Sequence, residues 1–339
     1  MISLLVVNYR SAALAAEAIR TARASASRPL QVVAVDNSCD ATEAEALRVH
    51  ADVVVVAETN RGYAGGINLG RRSCEGKTII VANPDVAFAP GAVDSLHDAL
   101  QEAAVAGPAL FWDESHQWML PPGDLTTGPE KLDEVLASHS RTWFEQRDRR
   151  RFRKRVAFWS LQETTPVRML SGAVMAVRAA DLDAAGGFDE RFPLYFEESD
   201  FLRRIAALRK RILYVPSARC RHLFNQSAAQ VASEAAARYA QSELRYLEKW
   251  LGPFAARALK RLEKPMEGFD ARPLHGPLQL HRDDVVVEAS PLATFTTAAG
   301  LFPRTRDVSP PDVAWGGELF LRVIVRATGE ILGTYKISL

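Results

Sequence analysis

Short apolar runs alternate with amphipathic stretches through the first hundred residues, and each run ends on polar side chains. Ile2–Val7, Leu30–Val35, Val53–Ala57 and Thr78–Ala82 predict buried strands. Leu14–Ala26, Ala41–His50, Gly65–Ser73 and Gly91–Ala103 predict the helices between and after them. Continuous apolar strands separated by helices predict an α/β fold with a mostly parallel sheet covered on both faces. Ligands of such sheets sit beyond the carboxyl ends of the strands. Here those ends carry Asn8-Tyr9, Asp36-Asn37, Asn60 and Asn83-Pro84-Asp85, so the four ends converge on one expected site.

The pattern weakens between Trp112 and Pro166 and returns at Val167. Met169–Val177 reads as a strand interrupted by Ser171-Gly172, and Ala179–Ala185 as a short helix. The run Tyr195-Phe196-Glu197-Glu198-Ser199-Asp200 leads into an amphipathic helix, and Ile212–Val215 is a strand leading to His222. Glu234–Leu262 is helical, broken at Gly252-Pro253. Beyond Pro265 the texture changes to β-branched runs separated by Gly and Pro, with alternation at Leu319, Leu321, Val323 and Val325. These features predict a main domain over residues 1–267 and a small β-rich domain over residues 268–339. The smaller domain is expected to bind glycan, dimerise or cover an edge, with Trp315 read as a core residue ahead of a sugar platform.

Composition narrows the class. Of 339 residues, 47% are apolar and 24% charged, which fits a globular, core-forming chain. A net charge of +1 gives no global field that selects nucleic acid, and no nucleic-acid motif is present. Cys39, Cys74 and Cys220 are too widely spaced for a disulfide framework or a zinc site, which fits a reducing, cytoplasmic compartment. The apolar run at the N-terminus is too short for a signal peptide, and no stretch reaches membrane-spanning length. Locally, Arg141–Arg155 holds eight Lys or Arg against Glu145 and Asp148, with Trp143, Phe144 and Phe152 interleaved. Residues 141–159 read either as a solvated helix whose aromatics touch the core or as a peripheral contact with anionic lipid headgroups.

Chemistry concentrates in a few places. A glycine-rich loop, Asn60 to Gly70, precedes Asp85; the pair suggests a pocket for an anionic, nucleotide-linked substrate and its divalent metal. Asp36 either caps the next turn or hydrogen-bonds a nucleobase or ribose. His222 is a candidate second metal ligand if Asp85 is the first. Glu197 and Glu198 stand against apolar neighbours, where a partly desolvated carboxylate rises towards general-base range, so either is a catalytic candidate.

Together these motifs resemble family 2 glycosyltransferases: Val6-Val7-Asn8-Tyr9, Val35-Asp36-Asn37-Ser38, Asn60-x-Gly62-Tyr63-Ala64-Gly65-Gly66-x-Asn68-x-Gly70, Asn83-Pro84-Asp85, Gly187-Phe188-Asp189-Glu190 and Tyr195-Phe196-Glu197-Glu198-Ser199-Asp200. The likeness covers about residues 1–250 and is strongest to the rhamnosyltransferase-like branch. It implies a GT-A fold, with residues 1–110 as the nucleotide-sugar-binding half, 167–230 as the acceptor and catalytic half, and 231–267 as a helical extension. It implies inverting transfer of a sugar to a glycan or lipid-linked saccharide in cell-surface polysaccharide synthesis, from dTDP-rhamnose or, as runner-up, a UDP-hexose. Asp36 would contact the base, with Asn8 and Tyr9 lining its pocket. Asn60, Gly65, Gly66 and Asn68 would shape the nucleotide and ribose side. Asp85 would ligate Mg2+ or Mn2+, with Asn83 as a neutral contact and His222 closing the metal site. Gly172 would border a sugar. The family's acidic motif is Glu-Asp with the second residue as base; here Glu198 stands at that place, and Glu197 remains an alternative.

Three other classes compete. A nucleotidyltransferase or a dehydrogenase needs glycines directly after the first strand, where this chain reads Asn8-Tyr9-Arg10-Ser11. A non-catalytic sugar-binding protein on the same scaffold is the third. The implied location is cytoplasmic or peripheral at the inner membrane face, and a homodimer is a further expectation.

Overall fold

A computed structural model of the chain describes residues 1–223, 232–312 and 317–338, so Trp315 lies outside the described residues. The chain divides into two compact units. The first comprises Met1–Ala109, Gly123–Leu125 and Gln162–Arg257; the second comprises Leu110–Pro122, Thr126–Leu161 and Ala258–Leu339. A single cut near residue 268 therefore does not describe the division. The stretch of weak patterning between Thr126 and Leu161 groups with the C-terminal strands.

The first unit begins β1 (Ile2–Asn8), α1 (Ala12–Ser25), β2 (Leu30–Asp36), α2 (Ala41–Arg48), β3 (Val53–Val56), α3 (Gly62–Arg71) and β4 (Thr78–Ala82). It continues with β5 (Val86–Phe88), α4 (Ala92–Ala99) and β6 (Val105–Phe111), whose last residues enter the second unit. The alternation of apolar runs and helices thus gives the expected elements, with ends shifted by a few residues. Strands β5 and β6 are the additions: β5 is only three residues long, and Gly107-Pro108 masks β6 in the sequence, since proline is rare inside sheets. The sheet order is β3-β2-β1-β4-β8-β6-β9-β5, where β8 is Val174–Arg178 and β9 is Ile212–His222, with β7 (Thr165–Pro166) paired to β9. Pairings among β3, β2, β1 and β4 are parallel, whereas β8 meets β4 and β9 meets β5 antiparallel. β1 and β4 are buried at every residue, as a sheet covered on both faces demands. This mostly parallel sheet flanked by helices, with antiparallel strands beyond β4, is the GT-A arrangement that the resemblance implies.

In the second unit, α5 (Gly128–His139) and α6 (Arg141–Trp159) form a helical hairpin, and the C-terminal strands build the sheet. Its order is β10-β16-β15-β12-β13, spanning Arg272–Pro273, Ile331–Ser338, Glu318–Val325, Val285–Ser290 and Ala299–Leu301. A further pair, β11 (Leu278–Gln279) and β14 (Asp307–Val308), stands apart from it. Phe144, Phe152 and Trp159 of α6 are buried, and Phe152 and Trp159 pack with Val286 and Ile324 of the sheet. The basic run is mostly spent within this unit. Arg147 and Arg150 pair with Asp133, Lys154 with Glu130 and Arg141 with Glu145. Arg155 bonds Glu288 at 2.7 Å, and Arg322 bonds Asp148 and Glu288 in the same buried cluster. Arg149 and Arg153 are exposed and have no ion pair among the described residues.

Candidate active site

The parallel half places its polar strand ends side by side. In register, Asn8 lies opposite Asp36, and its side-chain amide donates to Asp36 Oδ1 at 3.3 Å and to Glu43 at 2.8 Å. Asp36 Oδ1 also accepts the Ser38 backbone N–H at 3.1 Å and the Ser38 hydroxyl at 2.6 Å. Asp36 is fully buried, and its second oxygen has no protein partner. Tyr9 is half exposed beside this end, with the Arg10 guanidinium 5.5 Å from its ring centre.

Beyond β4, the antiparallel register Ala82↔Val174 brings Ser171-Gly172-Ala173 alongside Asn83-Pro84-Asp85. The Asn83 N–H donates to the Ala173 carbonyl at 2.9 Å. Asp85 is buried. Pairing of Val86 with His222 sets the imidazole beside it, with Nε2 3.3 Å from Asp85 Oδ1. Asp85 Oδ1 is buried and has no hydrogen-bond partner by geometry, so it keeps an unspent lone pair. Burial, the largest influence, raises the Asp85 carboxyl, but the charge and proximity of His222 and the backbone N–H of Asp85 together outweigh it, and the net direction is down, towards the ionised form.

After the short α7 (Ala179–Ala184), the acidic run forms the first turn of α8 (Glu197–Ala207) rather than the approach to it. Two successive aromatic residues, Tyr195 and Phe196, hold φ of 67° and 68°, a conformation that costs a bulky side chain about 1–3 kcal/mol. Packing holds it there. Phe196 sits in an apolar cluster with Phe192, Tyr246, Leu247 and Ala256, against α9 (Ala232–Leu251). From α9 come further ties: Ser242 to the Leu194 carbonyl at 2.8 Å, Arg245 to the Arg191 carbonyl at 2.7 Å, and Lys249 to Asp189 at 2.8 Å. Asp200, fully buried, is taken up by Arg204, Trp250 and Lys249, so it anchors the helix.

The turn delivers Glu197 and Glu198 into one buried pocket. Burial, then the neighbouring Glu198, pushes the Glu197 carboxyl well above the usual range. Burial also raises Glu198, but the backbone N–H groups of Glu198 and Ser199 work against the rise. Glu198 is the more exposed of the two, and its side chain lies against the bare Cα of Gly172, where a methyl would stand 3.2 Å from its Cβ. Tyr63, from α3, closes the group. Its hydroxyl lies 3.4 Å from the Gly172 carbonyl, and burial followed by the charges of Glu197, Asp85 and Glu198 pushes it well above its ordinary value. Tyr63 was visible in the sequence as part of the glycine-rich motif, but nothing there distinguished it from a core aromatic.

The glycine-rich segment itself differs from the expectation of a loop whose amides cradle an anion. It is a helix, and its leading amides are spent. Arg61 N–H donates to Asn37 at 2.9 Å, Gly62 N–H to Asn60 at 2.9 Å, and Tyr63 N–H to the Pro193 carbonyl at 2.6 Å. A Cβ on Gly66 would lie 2.6 Å from Val7 Cγ1, and one on Gly65 would lie 2.8 Å from Arg61 Cβ. Gly66 therefore lets the helix sit close on β1. Asn60 fixes the turn into α3. Asn68 clasps the Phe188 backbone, donating to its carbonyl and accepting its N–H, both at 2.8 Å. These residues place Tyr63 and the Gly187–Glu190 turn.

One regularity ties the site together. Among the described residues, four carboxylates have an oxygen buried without a hydrogen-bond partner: Asp36, Asp85, Glu197 and Glu198. Buried polar atoms are nearly always partnered, and exceptions gather where a ligand or catalysis uses them.

Residues 1–241 match the model of a family described as glycosyltransferase like family 2. The chain is 28% identical over 224 residues to an N-acetylglucosaminyl-diphospho-decaprenol L-rhamnosyltransferase of Mycobacterium tuberculosis, covering 58% of this chain and 67% of the relative. It has a loose structural likeness to the mannosyltransferase PcManGT of Pyrobaculum calidifontis, solved with GDP-Man and Mn2+. That likeness has 14% identity and a TM-score of 0.47, over 77% of this chain and 73% of the other. Residues 1–349 of S. aureus TarS are similar at 17% identity and a TM-score of 0.43, over 73% and 69%.

Proposed function

The chain belongs to the glycosyltransferase like family 2, and from that premise we propose that it is an inverting transferase moving rhamnose from dTDP-rhamnose to a hydroxyl of a lipid-linked saccharide. The observation that carries the reading is the set of four carboxylates with a buried, unspent oxygen, at the end of β2, beyond β4 and in the first turn of α8. Asp36 offers its free oxygen to the N–H of a pyrimidine base, with Asn8 and Ser38 holding its other oxygen. Tyr9 covers the base from the exposed side. The choice of rhamnose and of a lipid-linked acceptor follows the mycobacterial relative; a UDP-hexose on the same scaffold is the alternative donor.

The donor set fits a divalent cation, Mg2+ or Mn2+. Asp85 presents a buried oxygen with no hydrogen-bond partner, and His222 Nε2 lies 3.3 Å from it. When bound, such an ion neutralises the diphosphate that leaves with the nucleotide. Glu198 is the base. It is the more exposed of the pair and lies against Gly172, where an acceptor hydroxyl can reach it, while burial and the adjacent Glu198 disfavour the charged form of Glu197. Glu198 takes the proton of the acceptor hydroxyl. The oxygen then attacks the anomeric carbon from the face opposite the diphosphate, forming the new C–O bond as the old one breaks. Tyr63 fills the space between Gly172 and the acids, excluding water from the reacting face. The test is a panel of nucleotide sugars with Mg2+ or Mn2+, read first by thermal shift and then by acceptor-dependent release of nucleoside diphosphate. Stabilisation by dTDP-rhamnose with release is the expected outcome. Binding without release on any saccharide acceptor would favour the non-catalytic reading, and no binding would sink the assignment.

A further inference from the structure

Helix α10 (Pro253–Leu262) turns an apolar face to solvent. Phe254, Ala258 and Leu262 recur at i, i+4 and i+8, so they form one stripe along the helix. Phe254 is 89% exposed, the most of any large hydrophobic described, and Leu262 is 55% exposed. Ala256 is the one side chain the helix fully buries. A stripe of this kind contributes nothing to folding and needs a partner outside the chain. The charges around it name the partner. The helix contains Arg257, Lys260 and Arg261 and no acidic residue; Lys264 follows, against Glu263. Arg257 is shared with Glu248 at 2.9 Å and Lys260 with Glu263 at 2.6 Å. Arg261 and Lys264 are exposed and have no ion pair among the described residues. The more obviously basic α6 differs on both counts, since most of its cations are paired and its aromatics Phe144, Phe152 and Trp159 are buried.

We propose that the outer face of α10 is a docking surface for an anionic bilayer. Phe254, Ala258 and Leu262 enter the boundary between headgroups and acyl chains, and Arg257, Arg261 and Lys264 meet the phosphates. At ten residues the helix is about 15 Å long. It lies in the plane of the interface, and none of the described helices is long and apolar enough to cross a membrane. The surface deepens the reading of a lipid-linked acceptor, because a saccharide on a lipid is presented at a bilayer. Its test needs neither donor nor acceptor, so the two readings fail separately.

The full chain is sedimented with vesicles of phosphatidylcholine alone or mixed with phosphatidylglycerol. Binding to the mixed vesicles that weakens with salt is expected. Phe254→Ser with Leu262→Ser lowers that binding at least about tenfold, while Arg257→Gln with Arg261→Gln removes the preference for phosphatidylglycerol. Ala258→Leu adds apolar surface to the same face and raises binding several-fold, which guards against loss through misfolding. Three results overturn the proposal: no binding of the parent chain to mixed vesicles, a double serine variant that binds like its parent, or a stable dimer in solution that Phe254→Ser dissociates.

Discussion

Replacing Glu197 by glutamine separates the two acids by a measurement that needs no substrate. Burial and the adjacent Glu198 hold the Glu197 carboxyl well above its ordinary value of 4.5. Above pH 4.5 the unfolded chain has released this proton while the folded chain still holds it. The folded state is therefore favoured fully below that pH and loses the advantage as pH rises towards the folded value. Over that window one extra bound proton costs about 1.4 kcal/mol per pH unit. Glutamine has no proton to lose, so Glu197→Gln gains on its parent from pH 4.5 upwards with a slope of at most this size. Urea unfolding of both chains from acid to neutral pH measures it. The same variant keeps transfer within about tenfold, whereas Glu198→Gln loses about 10²–10⁴ of kcat with donor binding intact. Parallel stability curves would refute the buried-acid assignment of Glu197, and the reverse pattern of activities would move the base to Glu197.

Other consequences can be checked as directly. Transfer falls as pH drops through the raised value of Glu198, and because Glu197 is uncharged there, the kcat profile of Glu197→Gln falls over the same pH range as its parent's. Asp85→Asn abolishes metal-dependent turnover and leaves the melting temperature of the unliganded chain near its parent's; unchanged turnover would end the metal role. Gly66→Ala forces a methyl to 2.6 Å from Val7 Cγ1 and costs about 1–3 kcal/mol in chemical denaturation. Arg322→Met strands the fully buried Glu288 beside Arg155 alone and leaves Asp148 without its bidentate partner, a loss of about 3–5 kcal/mol. A loss below about 1 kcal/mol would mean that the cluster is not a shared network.

What the sequence made legible was local. The apolar runs of the parallel half are continuous because both faces are covered, and their polar ends announced Asn8, Asp36 and Asp85. The acidic pair could be read because it stands among aromatics. What stayed hidden depends on partners far along the chain. The meeting of Asp148 with Arg322 spans 174 residues, so the basic run read either as a solvated helix or as a lipid contact, although Arg155 and Asp148 serve an interior cluster and most of the other cations pair nearby. The glycines of α3 read as an anion cradle because composition does not show where a helix will land; Val7 decides that for Gly66. The left-handed backbone at Tyr195 and Phe196 has no compositional mark, since aromatic residues there argue against it. Its cause lies in a helix some forty residues later.

That later helix sets a limit on how the site can be transplanted. Residues 195–200 look like a short cassette, yet their conformation belongs jointly to them and to α9, through Tyr246, Ser242, Lys249 and Trp250. A chimera that carries the acidic turn without this helix inherits the carboxylates but lets the aromatic pair relax, and the acids leave the pocket. Any exchange of this part of the chain has its natural seam after Arg257, beyond the clamp rather than before it.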